Sequence, residues 1–196
     1  SDSAICSGDV QPVEQVVQVD GVAGQTTYRL MLELGPNERN IYTIFGQSRS
    51  HMIIPPAFQV SGPFGADVGG TNPSFWPFAP GCEYDSWLTA TLTDGNDSGA
   101  VSTIGIDFMQ WTDSDGLEID NGAIFWMSPD DAPEPGTDGA TVAQLTLPTG
   151  SPWGAIINAQ GRSHRIGDDW ECDCIGFGSL ASSPAPAPAP TPSPGG

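Results

Sequence analysis

Asp113, Asp115, Glu118 and Asp120 crowd four carboxylates into one short segment, with Gly116 and Asn121-Gly122 beside them. Alternation along an extended chain puts several of them on one side, where mutual repulsion invites a cation. Hard oxygen ligands suit Ca2+, so these four are the candidate metal ligands and Ca2+ the possible, not required, cofactor. A solvated acidic loop is the plainer reading of the same residues. Asp94-Gly95-Asn96-Asp97-Ser98-Gly99 fits the first six positions of a D-x-N-x-S-G calcium loop, but Gly105 stands where the acidic twelfth residue belongs. By composition the stretch is also a hairpin turn.

Catalytic spacings are missing. The chain has no G-x-S-x-G elbow and no H-E-x-x-H helix. Without a Lys it offers neither a Schiff base nor the cation of a phosphate cradle. A glycosidase pair cannot be singled out among 24 acidic residues. The sequence therefore reads as no enzyme, with a glycoside-active one as the residual alternative. Trp76, Trp87, Trp111, Trp126, Trp153 and Trp170 could stack on sugars, though core and loop packing explains most of them more simply.

Cys6, Cys82, Cys172 and Cys174 are an even set in a chain with the sequon Asn96-Asp97-Ser98. Together they indicate an oxidising, extracellular setting, with Asn96 as a glycan acceptor. Cys172 and Cys174 share a strand face at that spacing and cannot bond to each other without strain. Each is expected to pair with a distant partner, Cys6 or Cys82, contributing about 4 kcal/mol per bridge in the chain-entropy model. Zinc is the competing reading, and the paired C-x-x-C spacing of a zinc site is missing.

The elements that must position these groups follow from composition. The 196 residues include 25 Gly and 19 Pro, too many breakers for a helical bundle and suited to short strands joined by turns. A net charge of -19 excludes a nucleic-acid binder, which needs a cationic face. It also argues against docking on an anionic membrane, and no apolar run approaches the roughly 20 residues that membrane insertion requires. Ser1 to Gly24 reads as a Val-rich, β-prone arm. Gln25 to Ala181 is the globular body. Ser182 to Gly196 alternates Pro with Ala, Thr and Ser, a polyproline II tail.

In the body, strands are expected at Tyr28–Leu34, Ile41–Phe45, Met52–Ile54, Phe58–Val60, Trp87–Leu92, Val101–Met109, Ala123–Met127, Val142–Leu147, Ala155–Ala159 and Cys174–Phe177. Turn signals at sandwich spacing make the fold all-β, an antiparallel β-sandwich or jelly roll in one domain. Residues 61–80 read as an ordered loop packed by Phe64, Phe75, Trp76 and Phe78. Gln47-Ser48-Arg49-Ser50-His51-Met52-Ile53 echoes Gln160-Gly161-Arg162-Ser163-His164-Arg165-Ile166, either as a recurrent hairpin tip or as matched polar sites. In so acidic a chain the arginines should answer local carboxylates.

The Ala-Pro, Thr-Pro and Ser-Pro repeats of the tail resemble the glycomodules of hydroxyproline-rich cell-surface glycoproteins of green algae and plants. That resemblance implies hydroxylation and glycosylation at Pro184, Pro186, Pro188, Pro190, Pro192 and Pro194, with Thr191 and Ser193 as further acceptors. In the body, Tyr84-Asp85-Ser86-Trp87-Leu88-Thr89, Gln160-Gly161-Arg162-Ser163 and Asp169-Trp170 are similar to modules of secreted microbial and algal surface proteins. The combination resembles subunits of glycan-coated extracellular fibrils and carries no catalytic residue with it. The expected function is a secreted structural glycoprotein, a homo-oligomer that builds a helical filament or surface layer through its terminal extensions. The alternative is a calcium-assisted carbohydrate-binding or adhesion module on a Pro-rich tether.

Overall fold

The computed structural model describes residues 5–181. The Pro-rich tail and its candidate sugar sites, Pro184 to Pro194, lie outside the described residues.

The described chain is all-β, two antiparallel sheets packed face to face. In chain order its strands are β1 (Ile5–Cys6), β2 (Val10–Val19), β3 (Gln25–Leu34), β4 (Thr43–Gly46), β5 (Met52–Ile54) and β6 (Trp87–Leu88). They continue with β7 (Val101–Ile104), β8 (Leu117–Ile119), β9 (Gly122–Trp126), β10 (Ala140–Pro148), β11 (Gly154–Arg162) and β12 (Asp169–Gly178). The smaller sheet runs β2-β3-β10-β6. The larger runs β1-β12-β11-β4-β9-β7, with β5 joining β11 to β8.

Period-2 patterning builds the core between them. Tyr28, Leu30 and Leu32 of β3 stand opposite Leu145, Ala143 and Ala140 of β10. They pack with Ile44, Ile124, Ile157, Ile175 and Phe177 of the larger sheet in one apolar cluster. On the outer face of the smaller sheet, Gln144 Nε2 donates to the Glu83 and Asp85 carbonyls, and Thr27 and Thr146 share a 2.7 Å hydroxyl bond. Arg29 lies 5.0 Å over the Trp87 ring. Residues 82–87 thus cover that face, which is why β10 is buried on both sides.

Several expectations need correction. The Val-rich segment is no free arm: β2 pairs with β3 from Val10↔Leu34 to Val19↔Thr26 and belongs to the sandwich. Residues 93–99 are not a hairpin turn, because β6 lies in one sheet and β7 in the other, so this loop crosses between layers. Positive φ at Thr91 (79°) ends the first run early, and Gly105 (71°) ends the second. Phe58–Val60 forms no strand; the Phe58 N–H instead bonds the Thr146 carbonyl within β10. The short strand β8 runs through the acidic segment, where the carboxylates mask its two buried apolar residues, Leu117 and Ile119.

Candidate functional site

The edge of the smaller sheet is the most exposed β structure. β2 bonds to β3 on one side and pairs with no other strand among the described residues, though it touches β12. Val16, Val17 and Val19 are 55, 41 and 50 % exposed. A bulge between Val16 and Gln18 leaves Val17 unpaired. Pro12 has no N–H, so the free donors of this edge run from Val13 onward. Natural edges are commonly guarded by Lys, and this chain has none. Glu14 Oε1 accepts from the Gly178 N–H and ties the strand to the end of β12.

The second feature is a ladder of charge on β12. Period 2 places Asp169 and Glu171 on the face away from Trp170 and Cys172, which are buried in the core cluster. The two Q-x-R-S-H-x-I segments meet on this strand. Arg162 Nη1 lies 2.8 Å from Asp169, and Arg49 Nη2 lies 2.9 Å from Glu171 and 3.4 Å from Asp173. Tyr42 donates to Asp169 at 3.0 Å, and the Arg162 guanidinium stands 5.4 Å from its ring. Burial first, then the Asp169 carboxylate, raises the Tyr42 pKa and keeps it a phenol. The Asp169 hydrogen bond likewise raises that of Arg162. Three of the five arginines, Arg39, Arg49 and Arg162, answer local carboxylates, while Arg29 bonds Gln144 instead; exposed pairs of this kind contribute about 0–1 kcal/mol each.

Beside the ladder opens a cleft of about 510 Å3 bounded by Arg39, Arg162, Arg165, His164, Asp130 and Glu134. It holds three of the chain's five cations. Arg39 Nε bonds Glu134 at 3.2 Å, and Arg162 Nε bonds Asp130 at 3.0 Å. Guanidinium donors and carboxylate acceptors therefore line one opening.

The remaining candidates separate. Cys6 and Cys172 form a disulfide that closes a sequence separation of 166 and fastens β1 to β12. Cys82 and Cys174 are free thiols, so the second bridge does not form. Cys174 sits in the bulge of β12 against β11 with φ 56°, which breaks the shared face with Cys172 and turns its sulfur to Ser50 Oγ at 3.1 Å. Cys82 is buried beneath the loop, where desolvation and then Asp85 raise its pKa. The four acidic candidates do not converge: Glu118 pairs with His51 at 2.8 Å, and Asp115 accepts from Thr112 at 3.4 Å. Among the described residues no three ligating side chains gather. Both ends of the Asn96 amide are bonded to Val101, with Nδ2 donating at 2.8 Å and Oδ1 accepting at 3.1 Å. Of the tryptophans, Trp87, Trp111 and Trp170 are buried, while Trp153 packs at 5.2 Å on Tyr28. In the 61–80 loop Phe64 and Phe75 meet at 5.6 Å, but both rings and Phe78 remain exposed.

Sequence reasoning missed Asp85. It is fully buried and accepts from the Val60, Ala66 and Ser86 N–H groups at 2.8, 2.7 and 3.0 Å. Burial pushes its pKa up to about 7 against those three donors. It pins the long loop to the smaller sheet, a role that no local motif announces. No helix among the described residues is long and apolar enough to cross a membrane. Comparison with family models, curated proteins and solved structures finds no significant match.

Proposed function

We propose that this chain is a secreted structural subunit that self-assembles into an extracellular filament, an extended segment of one copy adding to the β2 edge of the next. The supporting observation is that edge itself: ten residues long, open on one side and carrying three exposed valines. A strand added there gains main-chain hydrogen bonds and buries apolar area at about 25 cal/mol per Å2. Such a contact joins unlike surfaces and propagates without closing. The disulfide suits an oxidising compartment, and glycans on the tail would keep an assembly of strongly acidic subunits hydrated. Electron microscopy and sedimentation of the intact, native chain test the reading. Filaments are expected; a monomer at every concentration up to about 1 mM, far above ordinary dissociation constants, overturns it.

The arginine-lined cleft favours a second reading, a carbohydrate-binding module. Its alternating carboxylates and guanidinia offer both partners that a hydroxyl needs. A glycan array separates the two, since a filament subunit shows no selective glycan retention that Arg162→Ala abolishes.

A further inference from the structure

Asp9 and Glu38 meet where the β2–β3 pair ends. The turn from Gly35 to Glu38 closes with the Glu38 N–H on the Gly35 carbonyl at 3.2 Å, and the Gly35 N–H bonds the Asp9 carbonyl at 2.8 Å. A Cβ added to Gly35 would stand 2.8 Å from both Asp9 Oδ2 and Glu38 Oε2. Glycine therefore leaves open the point on which two carboxylates converge. Glu38 is 8 % exposed, and its Oε2 is fully buried with no hydrogen-bond partner. Among the described residues no cationic side chain lies within 4 Å of either carboxylate. Arg39, the next residue, is engaged by Glu134 and Asp130. Glu33 and Glu38 also line a neighbouring cleft of about 400 Å3, which gives a hydrated ion access.

A buried carboxylate oxygen without a partner is costly, and a second carboxylate beside it raises the cost. A cation resolves both. We propose that Asp9 and Glu38 form a Ca2+ site, completed by main-chain oxygens and water. Ca2+ accepts irregular sets of oxygen ligands, whereas Mg2+ demands a near-ideal octahedron and Zn2+ prefers His and Cys. With two carboxylates the site belongs to the weak extracellular class, with Kd of about 10⁻⁴ to 10⁻³ M. Bound there, the ion ties the start of β2 to the turn after β3. The site is distinct from the acidic segment at Asp113 to Asp120 and independent of filament assembly.

The test uses the intact chain and Tb3+ as a luminescent stand-in for Ca2+. Trp170 packs beside the site, since its Cβ and Glu38 Cγ stand 3.2 and 3.3 Å from a Cβ placed on Gly8. Excitation through tryptophan should therefore sensitise one bound Tb3+, displaced by Ca2+. Ca2+ at ten times its Kd should raise the unfolding midpoint by about 3 to 6 °C. Both responses should vanish in Glu38→Gln and in Asp9→Asn, the latter an exposed residue whose change spares the fold. Without metal, Glu38→Gln should be at least as stable as the parent, because a buried unpaired charge is gone. No sensitised emission with Tb3+ alone, together with an unchanged midpoint at about 10 mM Ca2+, ten times the weak end of that class, overturns the proposal. So does a response that survives in both variants but is lost in Asp113→Asn/Asp115→Asn.

Discussion

The two sheets finish their edges differently. The larger sheet ends on one side in β1, two residues held to β12 by the Cys6–Cys172 bond, and on the other in β7, four residues cut off at Gly105. Both edges are too short to template another chain. The smaller sheet has β6 covered by residues 67–69, where the Leu88 N–H bonds the Asp67 carbonyl and the Gly69 N–H bonds the Leu88 carbonyl, but leaves the ten residues of β2 without a second partner strand. Among the edge strands of the described residues β2 is the longest, since β1, β6, β7 and β8 have two to four residues each. An open apolar edge is an aggregation liability in a monomer, and natural sequences spend charge and proline to avoid it.

The sharpest way to break this contrast is to charge the open edge. Val17→Lys/Val19→Lys should abolish filaments in electron microscopy while changing monomer stability by no more than about 0.5 kcal/mol, as exposed positions do. Ile104→Lys, at a still more exposed position on β7, should leave assembly intact. Next in size is the closed edge. Cys6→Ala should lower unfolding free energy by about 4 kcal/mol, measured in denaturant, because so long a loop is no longer closed in the unfolded chain. Filament formation at low temperature should persist, since β2 keeps its pairing with β3.

Asp85 sharpens the contrast from within, because it anchors the cover over the smaller sheet. Asp85→Ala strands three N–H groups and should cost about 3 kcal/mol. Its folded pKa of about 7 lies above the ordinary 3.8 of a carboxylate. The folded state therefore binds a proton that the unfolded state releases. Stability from this group is fully present below about 4 and is lost as pH rises through 7, with a slope of up to about 1.4 kcal/mol per pH unit between. Asp85→Asn should flatten that slope in chemical denaturation between pH 5 and 8. The smallest effect belongs to the β12 ladder: Arg49→Gln should shift stability by about 0.5 kcal/mol or less, and added salt should erase even that.

What was legible in the sequence follows the same physics. β3, β10 and β11 could be read because each buries alternate apolar residues against the opposite layer. β2 read as an arm because an edge strand has little to bury: only Val10 of its residues is fully enclosed. The crossing at residues 93–99 looked like a hairpin since its Asp, Gly and Asn are equally suited to either. The disulfide set was half legible. Parity indicated bridges, but a bulge at Cys174, invisible in residue spacing, removed one partner. Asp85 and Glu38 were illegible for a common reason. Their significance rests on groups brought from elsewhere in the chain, the amides of Val60 and Ala66 for one and the Asp9 carboxylate for the other.

The covalent tie between Cys6 and Cys172 also decides how the molecule carries tension. A pull applied at the two ends of the chain runs through the first few residues, crosses the sulfur bridge and leaves along β12. The 165 residues between the two cysteines are bypassed, so neither sheet must unzip for the load to be borne. Oxidised, the molecule is a short, nearly inextensible link with a globule hung on its side; reduced, the same ends would draw the sandwich apart strand by strand.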